Sequence, residues 1–247
     1  MRVGLTYTQM KLARAKEKIN ELDAQISKFV RDNPYSVTRK DDANKARHII
    51  QIEMSIMPDP IGCLVGEFAY NLRSGLDHLA WQLALLTTKN PSRNTAFPIC
   101  ASKPTPTDDL FKKKVVDIPQ VAVNVIESLQ PYHRGTAFKD HPLWKLNKLC
   151  NMDKHQVIAI SNTVVPVFVG GVTQAWKREL TYGLQVEVPL SEKENIQFKP
   201  GLPQIVFGEP IEATDAPSNF EITFAELGTI YDFLRHDAVP QFERFFP

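Results

Sequence analysis

The first third of the chain predicts a long amphipathic helix followed by a β-hairpin. Apolar residues recur there at steps of three and four, the spacing of a helix with one buried stripe: Leu12, Ala15, Ile19, Leu22, Ile26 and Phe29. Apolar and polar residues then alternate from Ile50 to Ile56, which predicts a strand with one buried face. Residues 35–40 precede this strand across a polar connection, and we expect them to form the other half of a hairpin.

A second long helix is predicted from Ile61 to about Thr87. Its apolar residues share one narrow stripe, which we expect to face the core: Val65, Phe68, Leu72, Leu76, Leu79, Leu83 and Leu86. A polar stripe runs beside it: Glu67, Asn71, Ser74, His78 and Gln82. Tyr70 and Trp81 also lie off the apolar stripe. Because solvent-facing helices seldom carry two large aromatic side chains, we expect a second surface to cover this side, either the β-rich region or another copy of the chain.

The remaining pattern changes from helical to strand-like near Val157. A surface loop is predicted over residues 90–108, and helices are predicted from Pro119 to Leu129 and from Pro142 to about Met152. Short strands are then predicted at 157–160, 164–169, 180–188, 196–198, 205–207 and 220–224, before an apolar-striped helix ends the chain. This order of elements is typical of an α+β fold, with a helical core, an inserted β-hairpin, an antiparallel β-rich C-terminal half and a closing helix.

The domain organisation follows from the absence of a flexible linker between residues 150 and 157. We expect a single α+β domain over residues 1–247, with a mainly helical part at 1–155 and a β-rich part at 156–247. At this length, the chain can bury a sufficient core without disulfides or a structural metal.

Composition narrows the functional classes. The 29 basic and 28 acidic residues leave a net charge of +1, which argues against a protein that coats DNA through its overall charge. Three widely spaced cysteines fit neither a disulfide framework nor a zinc knuckle. The chain lacks an uninterrupted apolar segment of signal-peptide or membrane-span length, so we expect a cytoplasmic protein that needs no membrane and no cofactor. The first helix also carries a charged face, which either meets solvent or contacts RNA: Lys11, Arg14, Lys16, Glu17, Lys18, Glu21 and Asp23.

Candidate chemistry concentrates on the second long helix, where Arg73, Asp77 and His78 lie off the apolar stripe. Arg73 and Asp77 are four residues apart and can pair. One interpretation is a structural polar network that orients two helices. The other is a site in which His78 transfers a proton and Arg73 binds phosphate oxygens, because histidine titrates near neutral pH and the guanidinium group matches phosphate geometry.

Arg73, four intervening residues and His78 resemble the Arg-(four to six residues)-His motif of HEPN-type helical domains. The resemblance implies a site formed where two copies meet in a homodimer, either RNA-binding or acting as a metal-independent endoribonuclease, as in toxin or defence proteins. The histidine would assist attack by the RNA 2′-hydroxyl, and the arginine would stabilise the phosphorane. Asn71 and Asp77 would orient these two catalytic residues. The sequence departs from the family at Ser74, where Asn, Asp or His is usual, and in its β-rich half, since HEPN domains are all-helical.

A second resemblance covers most of the chain. The segments NLRSGLDHLAWQL and LNKLCNMDKHQVI are similar to those of a broad family of bacterial and phage-associated proteins, which implies one architecture and no particular activity.

Two further hypotheses remain open beside the HEPN-like one. Asp153 and His155 follow the predicted helix from Pro142, where they either close that helix, support the site around His78, or complete a two-Asp, two-His metal set for a hydrolase: Asp77, His78, Asp153 and His155. The other hypothesis is a non-catalytic module that binds a protein partner. That module requires Arg73 to be paired with an acidic residue and inaccessible, whereas the HEPN-like site requires Arg73 and His78 to face a groove.

Overall fold

The structure is a computed structural model that describes residues 4–32, 35–54, 60–105, 109–155, 158–163, 166–169, 176–180, 183–191, 197–200, 204–208 and 220–246. The α-helices are α1 (Thr6–Arg31), α2 (Pro60–Ala84), α3 (Asp109–Val115), α4 (Gln120–Ser128), α5 (Pro142–His155) and α6 (Phe224–Asp232). Short 3₁₀ segments cover Ala43–Lys45, Pro131–Asp140 and Val239–Phe245, and a π-helical turn at Phe233–Ala238 extends α6.

The strands are β1 (Tyr35–Asp42), β2 (Arg47–Met54), β3 (Ala159–Thr163), β4 (Pro166–Val169), β5 (Trp176–Leu180), β6 (Gly183–Pro189), β7 (Gln197–Pro200), β8 (Gln204–Gly208) and β9 (Glu221–Thr223). They form a four-stranded sheet in the order β1-β2-β6-β5, a three-stranded sheet in the order β3-β8-β9, and the antiparallel pair β4-β7. The fold is therefore α+β, helix-rich, with an antiparallel hairpin and a closing helix, as the sequence predicts.

The chain packs into two compact units that are both discontinuous in sequence. The first unit comprises Met1–Leu22, Gly62–Ala159 and Phe207–Pro247, and the second comprises Asp23–Ile61 and Ile160–Val206. The expectation of a single cooperative domain stays a prediction.

The core of the first unit is built from the apolar stripes of α1, α2, α5 and α6. Its fully or nearly fully buried side chains include Leu12, Ile19, Phe68, Leu72, Leu76, Leu79, Leu143, Leu146, Leu227 and Ile230. Thr223 caps α6 together with Glu226 in a reciprocal capping box, and Lys145 of α5 donates to Glu226 at 2.5 Å, so α5 and α6 are joined by a polar contact as well.

In the second unit the predicted hairpin is part of a larger sheet. The β1 and β2 strands pair antiparallel as expected, and β2 also pairs with β6, with Ile50 opposite Val186. Residues 55 and 56 of the predicted strand lie outside the described residues.

Several element predictions need correction. The strand predicted at 180–188 corresponds to β6, but Leu180 is the last residue of β5, a strand that the sequence analysis did not predict and that pairs antiparallel with β6, with Leu180 opposite Gly183. The α2 helix ends at Ala84, so Leu86 is not part of its buried stripe and is 39 % exposed. The sequence analysis did not predict α3 or the 3₁₀ turns at Pro131–Asp140. Among the described residues, no helix combines the length and apolarity needed to cross a membrane.

Candidate functional site

The polar stripe of α2 faces α1. Glu67 accepts a hydrogen bond from Lys18 at 2.7 Å, and Asn71 Oδ1 accepts one from Lys11 Nζ at 3.3 Å. Near the other end of α2, Gln82 Oε1 accepts from the backbone N–H of Gly4 at 3.1 Å. These contacts match increasing residue numbers in α2 with decreasing residue numbers in α1 and the segment before it. The two helices therefore run antiparallel. α1 therefore covers the polar stripe of α2. Tyr70, which the sequence analysis expected to be covered by the β-rich region or a second chain, is 56 % exposed.

Gly75 allows this close helix contact. The buried Thr8 hydroxyl donates to the Gly75 carbonyl oxygen at 3.3 Å, and a methyl group on Gly75 would lie 3.3 Å from Lys11 Cβ. A methyl group there would require Lys11 to shift by a few tenths of an ångström, so glycine favours the close approach of the two helices.

Arg73 and Asp77 form an ion pair on another side of α2. Arg73 Nη2 donates to Asp77 Oδ1 at 2.9 Å and to the carbonyl oxygen of Phe97 at 2.6 Å. Asp77 Oδ1 also accepts the backbone N–H of Phe97 at 3.0 Å. Both backbone polar groups of Phe97 are thus bonded to the two charged side chains, and we call this arrangement the Phe97 clamp.

The clamp fixes an irregular segment inside the first unit. Phe97 is fully buried, and its ring meets Phe242 edge-on at 6.4 Å. Gln130 holds the residues that follow, because its side chain donates to the Pro98 carbonyl at 3.0 Å and accepts from the Cys100 N–H at 2.9 Å. Buried backbone without a helix or sheet needs such partners, since each unpaired group costs about 1–3 kcal/mol.

Arg73 consequently has little capacity to bind phosphate. Its side chain is 14 % exposed, and Nη1 is buried without a hydrogen-bond partner among the described residues. The pairing of Arg73 with an acidic residue is one of the two features that the interaction-module hypothesis requires. Within one chain, Arg73 and His78 are also five positions apart on a helix, which directs them about 140° apart around its axis.

His78 lies against α1 instead. Its ring stacks on that of Tyr7, with centroids 5.8 Å apart and planes 25° apart. His78 is half-buried and Tyr7 is 50 % exposed. The structure thus assigns Arg73 and His78 to different contacts, and their catalytic roles stay predictions.

Tyr7 belongs to an open groove of about 740 Å³ in the first unit. Its lining is drawn from α1, the first half of α2 and the end of α5: Tyr7, Met10, Lys11, Arg14, Lys18, Cys63, Glu67, Tyr70, Asn71 and Asp153. We call it the α1–α2 groove. Tyr70 is 56 % exposed and Met10 58 % exposed, so the groove presents aromatic and apolar surface to solvent. Lys11 Nζ lies 5.6 Å from the centre of the Tyr70 ring, a cation–π contact.

Within the described residues, the two supporting residues on α5 make no hydrogen bond or ion pair with the clamp. Asp153 lines the groove and packs on the Gly66 backbone, since a methyl group on Gly66 would lie 2.0 Å from its Oδ1 atom. His155 is exposed at the end of α5. Within the described parts of the chain, no three His, Cys, Asp or Glu side chains are grouped so that they could hold a metal ion. Asp77, His78, Asp153 and His155 are all described, so the metal set of the hydrolase hypothesis is not assembled in this chain.

Cys150 is an unsuitable nucleophile. Burial raises the pKa of its thiol to about 12, an effect that outweighs the opposing influence of Arg73 and Lys154. The thiol is therefore protonated at neutral pH and acts as a small apolar side chain in the core.

Sequence reasoning missed the residues that complete these contacts. The sequence analysis did not identify Phe97 or Gln130 as site residues. The clamp joins residues that are 20 to 24 positions apart, and the periodicity of a helix or strand does not reveal contacts at that separation. Tyr7 and Met10 lie on the charged helix face at the start of α1. The interpretation that this face contacts RNA was the one sequence signal that could have identified them.

Comparisons of the chain with protein-family models, with curated proteins and with solved structures found no match.

Proposed function

We propose that this protein binds single-stranded RNA in the α1–α2 groove and does not cleave it through Arg73. The observation that supports the proposal is the groove itself, whose lining combines two exposed tyrosine rings with the cationic side chains of α1. Unpaired bases stack on aromatic rings while cations follow the phosphates, which is how many proteins bind single strands. The HEPN resemblance of the same helix supports RNA as the ligand.

The charges of the groove fit this use. Lys18 is engaged with Glu67 at 2.7 Å, which offsets one of the two carboxylates in the lining. Lys11 makes no ion pair among the described residues and is held in place by Asn71 and Tyr70. Among the described residues Arg14 pairs with Glu17 at the surface, where both side chains are more than half exposed. Such exposed pairs contribute little, so Arg14 can exchange its partner for a phosphate.

The Phe97 clamp supports binding without cleavage. A catalytic arginine must reach the phosphorane, yet the Arg73 guanidinium is bonded to Asp77 and to the Phe97 carbonyl. Releasing it would leave the buried carbonyl of Phe97 without this donor, at a cost of about 1–3 kcal/mol.

Binding of a protein partner is the second candidate function, and the apolar part of the groove favours it. Tyrosine, arginine and methionine are enriched at protein interfaces, and Tyr7, Met10 and Tyr70 are all exposed here. A second copy of the chain would be one such partner, and it would form the homodimer that the resemblance implies.

Fluorescence anisotropy with a labelled oligo-uridine RNA tests the proposal. We expect Arg14→Gln to weaken binding several-fold and to reduce the salt dependence of the affinity, because one phosphate contact is lost. Arg235→Gln removes an arginine that is also exposed but lies outside the groove, and it serves as the matched control. Equal affinities of the two variants would contradict the site. Absence of binding by the wild type at low salt would favour the protein-partner function.

A further inference from the structure

The Tyr7–His78 ring pair stands out as a feature of the groove that neither the clamp nor the core explains. Tyr7 lies in the first turn of α1, half-exposed at the groove, while His78 reaches it from α2 and stacks on its ring. The stack therefore joins two helices through a ring that still meets solvent.

An exposed tyrosine ordinarily changes rotamer freely and loses that freedom when a ligand binds. A ring already held by a stacked neighbour loses less, so its contact with a ligand gains affinity by preorganisation. The Tyr7 ring is half-exposed and lines the groove, and Lys11 lies one helical turn away on the same side of α1.

We infer that Tyr7 is the platform on which an unpaired base stacks, and that His78 positions this platform. The inference rests on the proposed function and names its ligand more closely: a base free of pairing, with its phosphate beside Lys11. A base inside a duplex is covered on both faces by its neighbours, so the platform selects single strands. His78 is thereby a positioning residue that acts through Tyr7, a role for which its ring is needed and its titratable nitrogens are not.

The test measures affinity for a short RNA that carries one 2-aminopurine among uridines, together with quenching of that base on stacking. Tyr7→Ala should weaken binding about tenfold and remove the quenching, since one stacked base contributes on that order. Tyr7→Phe keeps the ring and should stay close to the wild type. His78→Ala should weaken binding several-fold, whereas His78→Phe, which restores a flat ring, should recover both affinity and quenching.

The controls separate the two proposals. If the wild type binds the RNA but His78→Phe is as weak as His78→Ala, the platform inference is wrong and the groove function stands. If Tyr7→Ala leaves the quenching unchanged, the base stacks elsewhere and the inference is equally wrong. If the wild type binds no RNA, the proposed function itself is wrong, and the platform inference falls with it. A fully paired hairpin RNA should bind more weakly than the single strand, and melting temperatures confirm that each variant is folded.

Discussion

At the residue scale, His141 links stability to pH. It precedes α5, and its Nδ1 atom accepts the Leu143 N–H at 3.1 Å, so the ring must be unprotonated there to cap the helix. Burial lowers its pKa from the ordinary 6.5 to about 4, with smaller contributions from Arg134 and His133. Between these two values the unfolded chain binds a proton that the folded chain does not, so stability decreases as the pH falls.

We therefore expect the free energy of unfolding to fall by about 2 kcal/mol between pH 7 and pH 5 on account of this group, from 1.36 kcal/mol per pKa unit. Urea denaturation of the wild type and of His141→Asn at both pH values measures it. Asparagine can still cap the helix and does not titrate, so the variant should lose this part of the pH dependence. An identical decrease in the two proteins would contradict the assignment.

Ala46 offers a second prediction at this scale. It closes the turn between β1 and β2 with φ 51° and ψ 41°, a left-handed conformation that costs an L-residue about 1–2 kcal/mol. Ala46→Gly should stabilise the hairpin by about 0.5–1 kcal/mol, because the relief exceeds the added entropy of the unfolded chain. Ala43→Gly in the same turn, which lacks this strain, should destabilise it. Thermal melts of the two variants should shift in opposite directions; a lower melting temperature for Ala46→Gly would refute the argument.

At the element scale, α2 shows what a hydrophobic pattern can and cannot predict. Its apolar stripe and its polar stripe were predictable, because both follow from 3.6 residues per turn. What each stripe would contact was not predictable, since α1 is some 60 residues distant and its charged face gave no indication of an antiparallel partner. The spacing of Arg73 and Asp77 indicated that the two side chains could pair. That the pair also binds the backbone of Phe97 was not predictable, because Phe97 lies in an irregular segment without a periodic pattern.

Two arginine–carboxylate pairs on helices of this chain provide a comparison of stability. Arg73–Asp77 is part of the clamp, whereas Arg14–Glu17 has side chains that are 68 % and 58 % exposed. Arg73→Ala should lower the free energy of unfolding by about 1–3 kcal/mol, since it leaves the buried carbonyl of Phe97 without its donor. Arg14→Ala should change it by less than about 0.5 kcal/mol. Chemical denaturation of both variants measures the difference, and comparable small effects would mean that Arg73 is free for another role.

At the scale of the whole molecule, the order of helices and strands in the sequence correctly predicted an α+β fold. That order did not predict which distant strands pair with each other. The hairpin at β1 and β2 was foreseen from alternation alone, but its union with β6 joins residues about 140 positions apart. The same limit applies to the candidate site, whose contacts with distant segments were not predicted. The sequence placed Arg73, Asp77 and His78 on one helix, and only the packing of α1 and the Phe97 segment separates them into a clamp and a ring stack.

The molecule as a whole should then bind RNA and leave it intact. Incubation of the wild type with a mixed RNA pool in EDTA should yield no fragments with cyclic-phosphate ends, because Arg73 is committed to the clamp. Cleavage that disappears in folded Arg73→Lys and His78→Ala variants would instead support the catalytic interpretation.

Ultraviolet cross-linking of a single-stranded oligo-uridine RNA to the full chain, followed by peptide mapping, is the most direct measurement of where RNA binds. Cross-links are expected at Tyr7 and Tyr70, on the peptides of α1 and α2, and a competing unlabelled RNA should remove them. Cross-links confined to other peptides, or none above the level of a non-binding control protein, would contradict a single-strand site in the α1–α2 groove.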